Sequence, residues 1–253
     1  MSELAPPAPP LVLGADHPEF TVILLHGLTS SAEQFTPIAA HLNAALSPRR
    51  WRFILPTAPG QPVQWAGGRT VSAWYDLRDT DFSRNEDESG LRRASAYCQA
   101  LIHALIAEGA DSRRIFIGGF SQGCALSLMA GVRFPHPLGG IFGLSGYLPL
   151  AARTQEEAHD ANRHTPIFLA HGQYDRTISP TLAERARNCL LEQGHPVDWR
   201  TYPTEHTIIL PELDDLVSWL ECHSRDPAPA QPHLLPPRAR PHAGRRGLPK
   251  GSR

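Results

Sequence analysis

The sequence predicts an α/β domain, a mostly parallel central sheet flanked by helices. Two observations carry that prediction. Short apolar runs rich in Ile, Val and Phe recur along the chain, and stretches with helical spacing separate them. Continuous runs of this kind suit strands buried on both faces.

Taken in order, residues 1–19 read as an N-terminal arm and first edge segment, since the first ten hold four prolines. FTVILLHG (20–27) is the first continuous apolar run and ends in glycine. RFILPTAPG (52–60), RIFIGGFS (114–121), GGIFGLSG (139–146), PIFLAHG (166–172) and VDWRTYP (197–203) follow as strands. Between them, helical patterns cover 32–46, 89–108, 122–133, 180–193 and 210–222. In the second of these, Leu91, Ala94, Leu101, Ile102, Leu105 and Ile106 recur at helical spacing. Residues 20–224 thus form one domain. Residues 225–253 hold seven prolines and six arginines without an apolar period, a composition that predicts a disordered tail.

Charge and cysteine content exclude several roles. The formal net charge is −1, but residues 1–224 carry 17 basic and 24 acidic side chains, a net of −7. Such a body is a poor nucleic-acid binder. Cys98, Cys124, Cys189 and Cys222 show no CxxC or zinc-type spacing and read as buried free thiols in a reducing compartment. MSELAPPAPP lacks the basic and apolar regions of a signal peptide, and no run reaches the ~18 apolar residues of a membrane span. A cytoplasmic location is expected.

The chemistry centres on Gly119-Phe120-Ser121-Gln122-Gly123. This G-x-S-x-G lies between a predicted strand and a predicted helix, the context in which a tight turn lifts the serine Oγ into the open. Small neighbours are needed because a Cβ there would collide with the adjacent strand or helix. A serine hydroxyl needs a base, and the base an orienting acid. Asp175 in HGQYDRTIS follows one strand and His206 in YPTEHTIIL follows the next, so both sit at strand carboxyl ends with Ser121. Asp160, Asp198 and His195 lie before or at strand starts, and His171 beside Gly172 reads as a packed turn position. The oxyanion donors expected are the N–H of Gln122 and, from LLHGLTSSAEQF, the N–H of Leu28. Ser30 or Ser31 would cap the helix that follows.

HGLTSSAEQF, LPTAPGQPVQWAGGRTVSAWYDL, RIFIGGFSQGCALSL, HGQYDRTISP and YPTEHTI, in this order, resemble the small carboxylesterase and acyl-protein thioesterase (lysophospholipase-like) group of the α/β-hydrolases. The likeness covers roughly residues 20–222. It implies an α/β-hydrolase fold with a small loop lid. It implies Ser121 as nucleophile, His206 as base, Asp175 as its partner, and Leu28 and Gln122 as oxyanion donors. It implies hydrolysis of esters or thioesters with no metal or organic cofactor, a small-molecule or acylated substrate, and it allows a homodimer. Three departures stand out, the first being the basic, proline-rich tail, which has no family counterpart. Cys124 replaces a second glycine after GFSQG, where a thiol would crowd the first helical turn. Thr29-Ser30-Ser31 replaces a Gly-acid continuation, which alters the acyl pocket or the leaving-group side.

Residues 62–79 form the expected partial lid, with Trp65 as an acyl-pocket wall and Thr29 as a further substrate contact; Trp74 and Tyr75 read as core. SRNEDESG (83–90) reads as a solvated loop and acidic helix start without calcium-site spacing. The function expected is a serine carboxylesterase, with acyl-protein thioesterase or lysophospholipase as the alternative. A hydrolase-fold binding protein without turnover is the alternative of another class.

Overall fold

The computed structural model describes residues 8–79, 81–82 and 84–225. The predicted tail, 225–253, lies outside the described residues apart from Arg225. Among the described residues nine strands and six α-helices follow one another: β1 (Leu11–Gly14), β2 (Phe20–Leu25), α1 (Ala32–Ala45), β3 (Trp51–Leu55), β4 (Gly60–Val63), β5 (Arg69–Ser72), α2 (Glu88–Ala107), β6 (Ile115–Phe120), α3 (Gln122–Val132), β7 (Gly140–Leu144), α4 (Ala151–Glu157), β8 (Ile167–Gly172), α5 (Pro180–Glu192), β9 (Val197–Tyr202) and α6 (Leu210–His223). Seven strands make one sheet in the order β1-β3-β2-β6-β7-β8-β9, parallel throughout except for β1, which pairs antiparallel with β3.

Alternation along the strands divides the core in two. Ile23, Ile54, Ile117, Ile141 and Leu169 point to the face covered by α2, α3 and α5. Val22, Phe53, Phe116, Phe142 and Phe168 point to the face covered by α1 and α6. Each strand must therefore be apolar at both parities, which is why its sequence reads as a run and not an alternation. Gly118 interrupts this pattern for a reason: a Cβ there would enter the Phe142 ring on the neighbouring strand.

Four elements depart from the sequence reading. β9 closes one edge, with Asp198, Arg200 and Thr201 exposed and Tyr202 alone buried, so VDWRTY is not buried on both faces. β4 and β5 form a separate antiparallel hairpin within the predicted lid segment. The short helix α4 had no counterpart in the periodicity. The acidic stretch is a helix start as expected, but two of its acids are structural. Asp87 is buried, accepts from Gly90 N (3.2 Å) as the N-cap of α2, and pairs with Arg78 Nη2 at 2.8 Å. Glu86 accepts from Leu150 N at 2.8 Å.

The strand order places the site. The chain steps from β2 to β3 on one side, then returns to β6 on the other. The loops leaving the carboxyl ends of β2 and β6 diverge there, opening a crevice at the switch point.

Candidate active site

Ser121 stands between β6 and α3 with φ 56° and ψ −117°, a conformation that costs a non-glycine residue on the order of 1–3 kcal/mol. The turn is held by Ser121 N donating to Leu144 O at 2.9 Å. The flanking glycines answer to contact: a Cβ on Gly119 would lie 2.7 Å from the Gly123 carbonyl carbon, and one on Gly123 would lie 2.7 Å from His26 O.

The structure brings Ser121, His206 and Asp175 together. His206 Nε2 is 2.9 Å from Ser121 Oγ, and His206 Nδ1 is 2.7 Å from Asp175 Oδ2. Asp175 is 4% exposed, and its other oxygen accepts from Thr177 N (2.8 Å) and Ile178 N (2.9 Å). Burial pushes this carboxyl upward. The hydrogen bonds from His206, Ile178 and Thr177 outweigh burial and leave it below its ordinary value. It therefore stays an anion, able to hold the His206 Nδ1–H and leave Nε2 free to accept from serine.

The rejected candidates are accounted for. His171 is buried, and its Nε2 faces Ile178 O at 2.9 Å, so that nitrogen carries the hydrogen. Burial lowers its pKa, and it remains neutral 3.3 Å from Asp175. Asp198 accepts from Trp219 Nε1 at 3.1 Å on the α6 side. His195 is buried away from the crevice.

The β2–α1 loop is pinned on both sides of Leu28. Gly27 O accepts from Ser30 N (3.2 Å) and from His26 Nδ1 (2.7 Å), and Thr29 N donates to Ser72 O (2.8 Å). Leu28 N–H makes no hydrogen bond among the described residues, and the Gln122 N–H is an unsatisfied first-turn donor of α3. Both residues line the crevice. Ser31 occupies the N-cap position of α1, but its hydroxyl does not cap; Ala32 N donates to Thr57 Oγ1 at 3.1 Å. Ser30 instead donates to Gln34 at 2.7 Å.

A part of the site that sequence reasoning missed is the side chain of Gln122. Its Oε1 accepts from Trp74 N and its Nε2 donates to Tyr75 O, each at 2.8 Å. Trp74 Nε1 donates to His26 O, also at 2.8 Å. These bonds tie the lid segment to the serine turn and to the β2 end. The only sequence signal was a polar residue at a position already assigned a backbone role.

The crevice is a cavity of about 680 Å³. Leu28, Phe35, Leu77, Phe82, Phe120, Ile178 and Leu182 give it apolar walls, with Ser121 and His206 exposed to it. Trp65 and Thr29 both line it, but Trp65 is 52% exposed and forms rim, not a buried wall. Trp74 is core, whereas Tyr75 also lines the cavity. Cys124 does not crowd the turn. Its Sγ fills the space left by Gly143 and Gly146, and burial pushes the thiol far above its ordinary range. Cys98 is buried as well, but Cys189 is half-buried and Cys222 exposed, so the four free thiols are not all buried as expected. Among the described residues no group of three or more His, Cys, Asp or Glu is arranged to hold a metal ion. No helix among them is long and apolar enough to cross a membrane.

A serine at positive φ between a parallel strand and its helix, faced by a histidine from a later strand end, is the arrangement of the α/β-hydrolases, whose fold this chain has. Within that class the chain belongs to the Phospholipase/Carboxylesterase family, whose profile matches residues 9–224. It is 35% identical to acyl-protein thioesterase 1 of Yarrowia lipolytica over 205 residues, 79% of this chain and 90% of that one. Acyl-protein thioesterase 1 of Neurospora crassa is 36% identical over 228 residues, 87% of this chain and 93% of the relative. Among solved structures, Arabidopsis thaliana SOBER1 matches with a TM-score of 0.76 at 30% identity, covering 81% of this chain and 99% of its own.

Proposed function

We propose that the protein is a serine hydrolase that cleaves carboxylic esters and thioesters through an acyl-enzyme. The observation that carries the reading is His206 bridging Ser121 Oγ and the anionic Asp175 at 2.9 and 2.7 Å. Ser121 Oγ attacks the carbonyl carbon while its proton passes to His206 Nε2. Asp175 holds the ring in the Nδ1–H tautomer and stabilises the imidazolium that forms. The N–H groups of Leu28 and Gln122 receive the developing oxyanion. His206 then returns the proton to the departing alcohol or thiol. Water attacks the acyl-enzyme by the same route and releases the acid. The apolar walls of the cavity take the acyl group.

The names of the fungal relatives favour thioesters on acylated proteins as the substrate class. A cytoplasmic setting fits the four free cysteines. A fluorophosphonate probe tests the nucleophile, since it phosphonylates only an activated serine. Stoichiometric label on the wild type and none on Ser121→Ala is expected, with turnover in the variant down by about 10³–10⁴ or more. Label or turnover above about a tenth of wild type in Ser121→Ala would overturn the assignment. A palmitoylated peptide assayed beside oxygen esters of graded acyl length decides between thioester and ester preference.

A further inference from the structure

The cavity walls fall into two zones. Tyr75, Phe82, Tyr147 and Ile178 are buried and form its interior. Thr29, Trp65, Arg176, Thr177 and Ser179 are exposed and form its rim. Among the described residues no Asp or Glu lines either zone, although residues 1–224 carry a net charge of −7. Arg176 supplies the lone Lys or Arg among the lining residues. Among the described residues no carboxylate lies within ion-pair distance of its guanidinium. Arg78, beyond the lining, is by contrast committed: it pairs with Asp76 and Asp87.

The backbone at Arg176 is also fixed. It lies between Asp175 and Thr177, and the Asp175 carboxylate binds the N–H groups of Thr177 and Ile178. The turn that presents the acid to His206 thus also holds, at the mouth of the same cavity, a cation with no ion-pair partner among the described residues. The apolar interior takes an acyl chain, so the rim meets what leaves. An arginine with free donors in an acid-free cavity attracts carboxylates and phosphates, by its field at a distance and by charge-assisted hydrogen bonds at contact.

We propose that Arg176 is a specificity residue that recognises an anionic group, carboxylate or phosphate, on the leaving-group side of the substrate. The inference rests on Ser121 being the nucleophile. It adds that the preferred substrate carries negative charge beyond the scissile oxygen or sulfur, and it gives Arg176 no part in the bond-making steps.

The test compares matched esters of one short acyl group. The first pair has 4-hydroxyphenylacetate or 4-hydroxyphenylacetamide as the leaving phenol, alike in basicity and different in charge. The second pair, acylglycerol 3-phosphate against acylglycerol, separates phosphate from carboxylate recognition. The readout is the ratio of kcat/KM for the anionic to the neutral member within each protein, so a general loss of activity cancels. The wild type should favour at least one anionic member by about fivefold at low salt, a preference that shrinks as ionic strength rises. Arg176→Gln should bring the ratio to about one, and Arg176→Lys should keep part of it. A ratio of one in the wild type for both pairs, or an undiminished ratio in Arg176→Gln, overturns the proposal. Turnover of the neutral esters with no charge preference sinks the Arg176 inference alone. No turnover of any ester, with no fluorophosphonate label, sinks the nucleophile assignment and this inference with it.

Discussion

Gly123→Ala adds one methyl group at the second helical residue of α3, behind the serine turn. That Cβ would stand 2.6 Å from the Leu25 carbonyl carbon and 2.7 Å from His26 O, and closer still to Leu25 O. Ordinary contact begins near 3.4 Å. The atoms struck are backbone at the end of a central strand, bonded on both sides to β3 and β6, so they cannot swing aside as a side-chain tip would. Overpacking of this kind costs about 3 kcal/mol. Better helix propensity and a stiffer unfolded chain return about 1 kcal/mol. The net loss of about 2 kcal/mol corresponds to a Tm lower by about 4–8 °C in a domain of this size. Activity should fall further than stability. His26 O accepts from Trp74 Nε1, and the residues after it are Gly27 and Leu28, so a shift there displaces the Trp74 segment and the proposed oxyanion donor together. A misplacement near 1 Å costs about 100-fold in rate. Thermal unfolding and kcat/KM for a neutral ester well below Tm give the two numbers. Gly60→Ala is the control, because its Cβ would meet Thr70 Cγ2 at 3.4 Å, an ordinary contact; its Tm and rate should stay near wild type. A Gly123→Ala protein with Tm within 2 °C of that control (about the size of the error) and a rate within about fivefold would refute the reasoning.

Two further outcomes follow from the site's electrostatics. Asp175→Asn presents an N–H to His206 Nδ1, favours the Nε2–H tautomer and leaves nothing to accept the serine proton; kcat should drop by about 10⁴, and a rate within tenfold of wild type would pass the acid's role elsewhere. Glu212 is 1% exposed on α6, with Oε1 unpartnered and Oε2 3.4 Å from Ile209 N. Burial raises its pKa from 4.5 to about 7. The folded chain therefore binds a proton that the unfolded chain releases, and stability declines as pH rises from about 4.5 to about 7. Glu212→Gln removes that ionisation, so its Tm relative to wild type should climb by several degrees between pH 5.5 and 8.5, and a constant difference would show that the carboxyl does not titrate there.

What the sequence determined by itself was local in origin. Apolar runs with residues buried at both parities marked the parallel strands, and a 3.6-residue period marked the helices between them. Gly119, Ser121 and Gly123 announced the strained turn, because strain at one residue must be relieved by its immediate neighbours. Asp175 and His206 were legible from their order and from the loops that carry them, since parallel strands deliver every such loop to one edge. Other features depended on partners remote in the chain. β1 and the β4–β5 hairpin have four residues to a strand, with Pro62 inside one, too short for a period to register. The exposure of β9 followed from its place in the strand order, which no window of sequence contains. Asp87 looked like a solvated acid until Arg78 and the α2 N-terminus closed on it. The 2.9 Å approach of His206 to Ser121, the Gln122 bonds to the lid, the Glu212 carboxyl sealed under α6 and the unpaired Arg176 at the cavity rim were likewise decided only by tertiary structure. Each is a relation between side chains brought together by the sheet, and distance, burial and missing partners are properties of that packing rather than of any one residue.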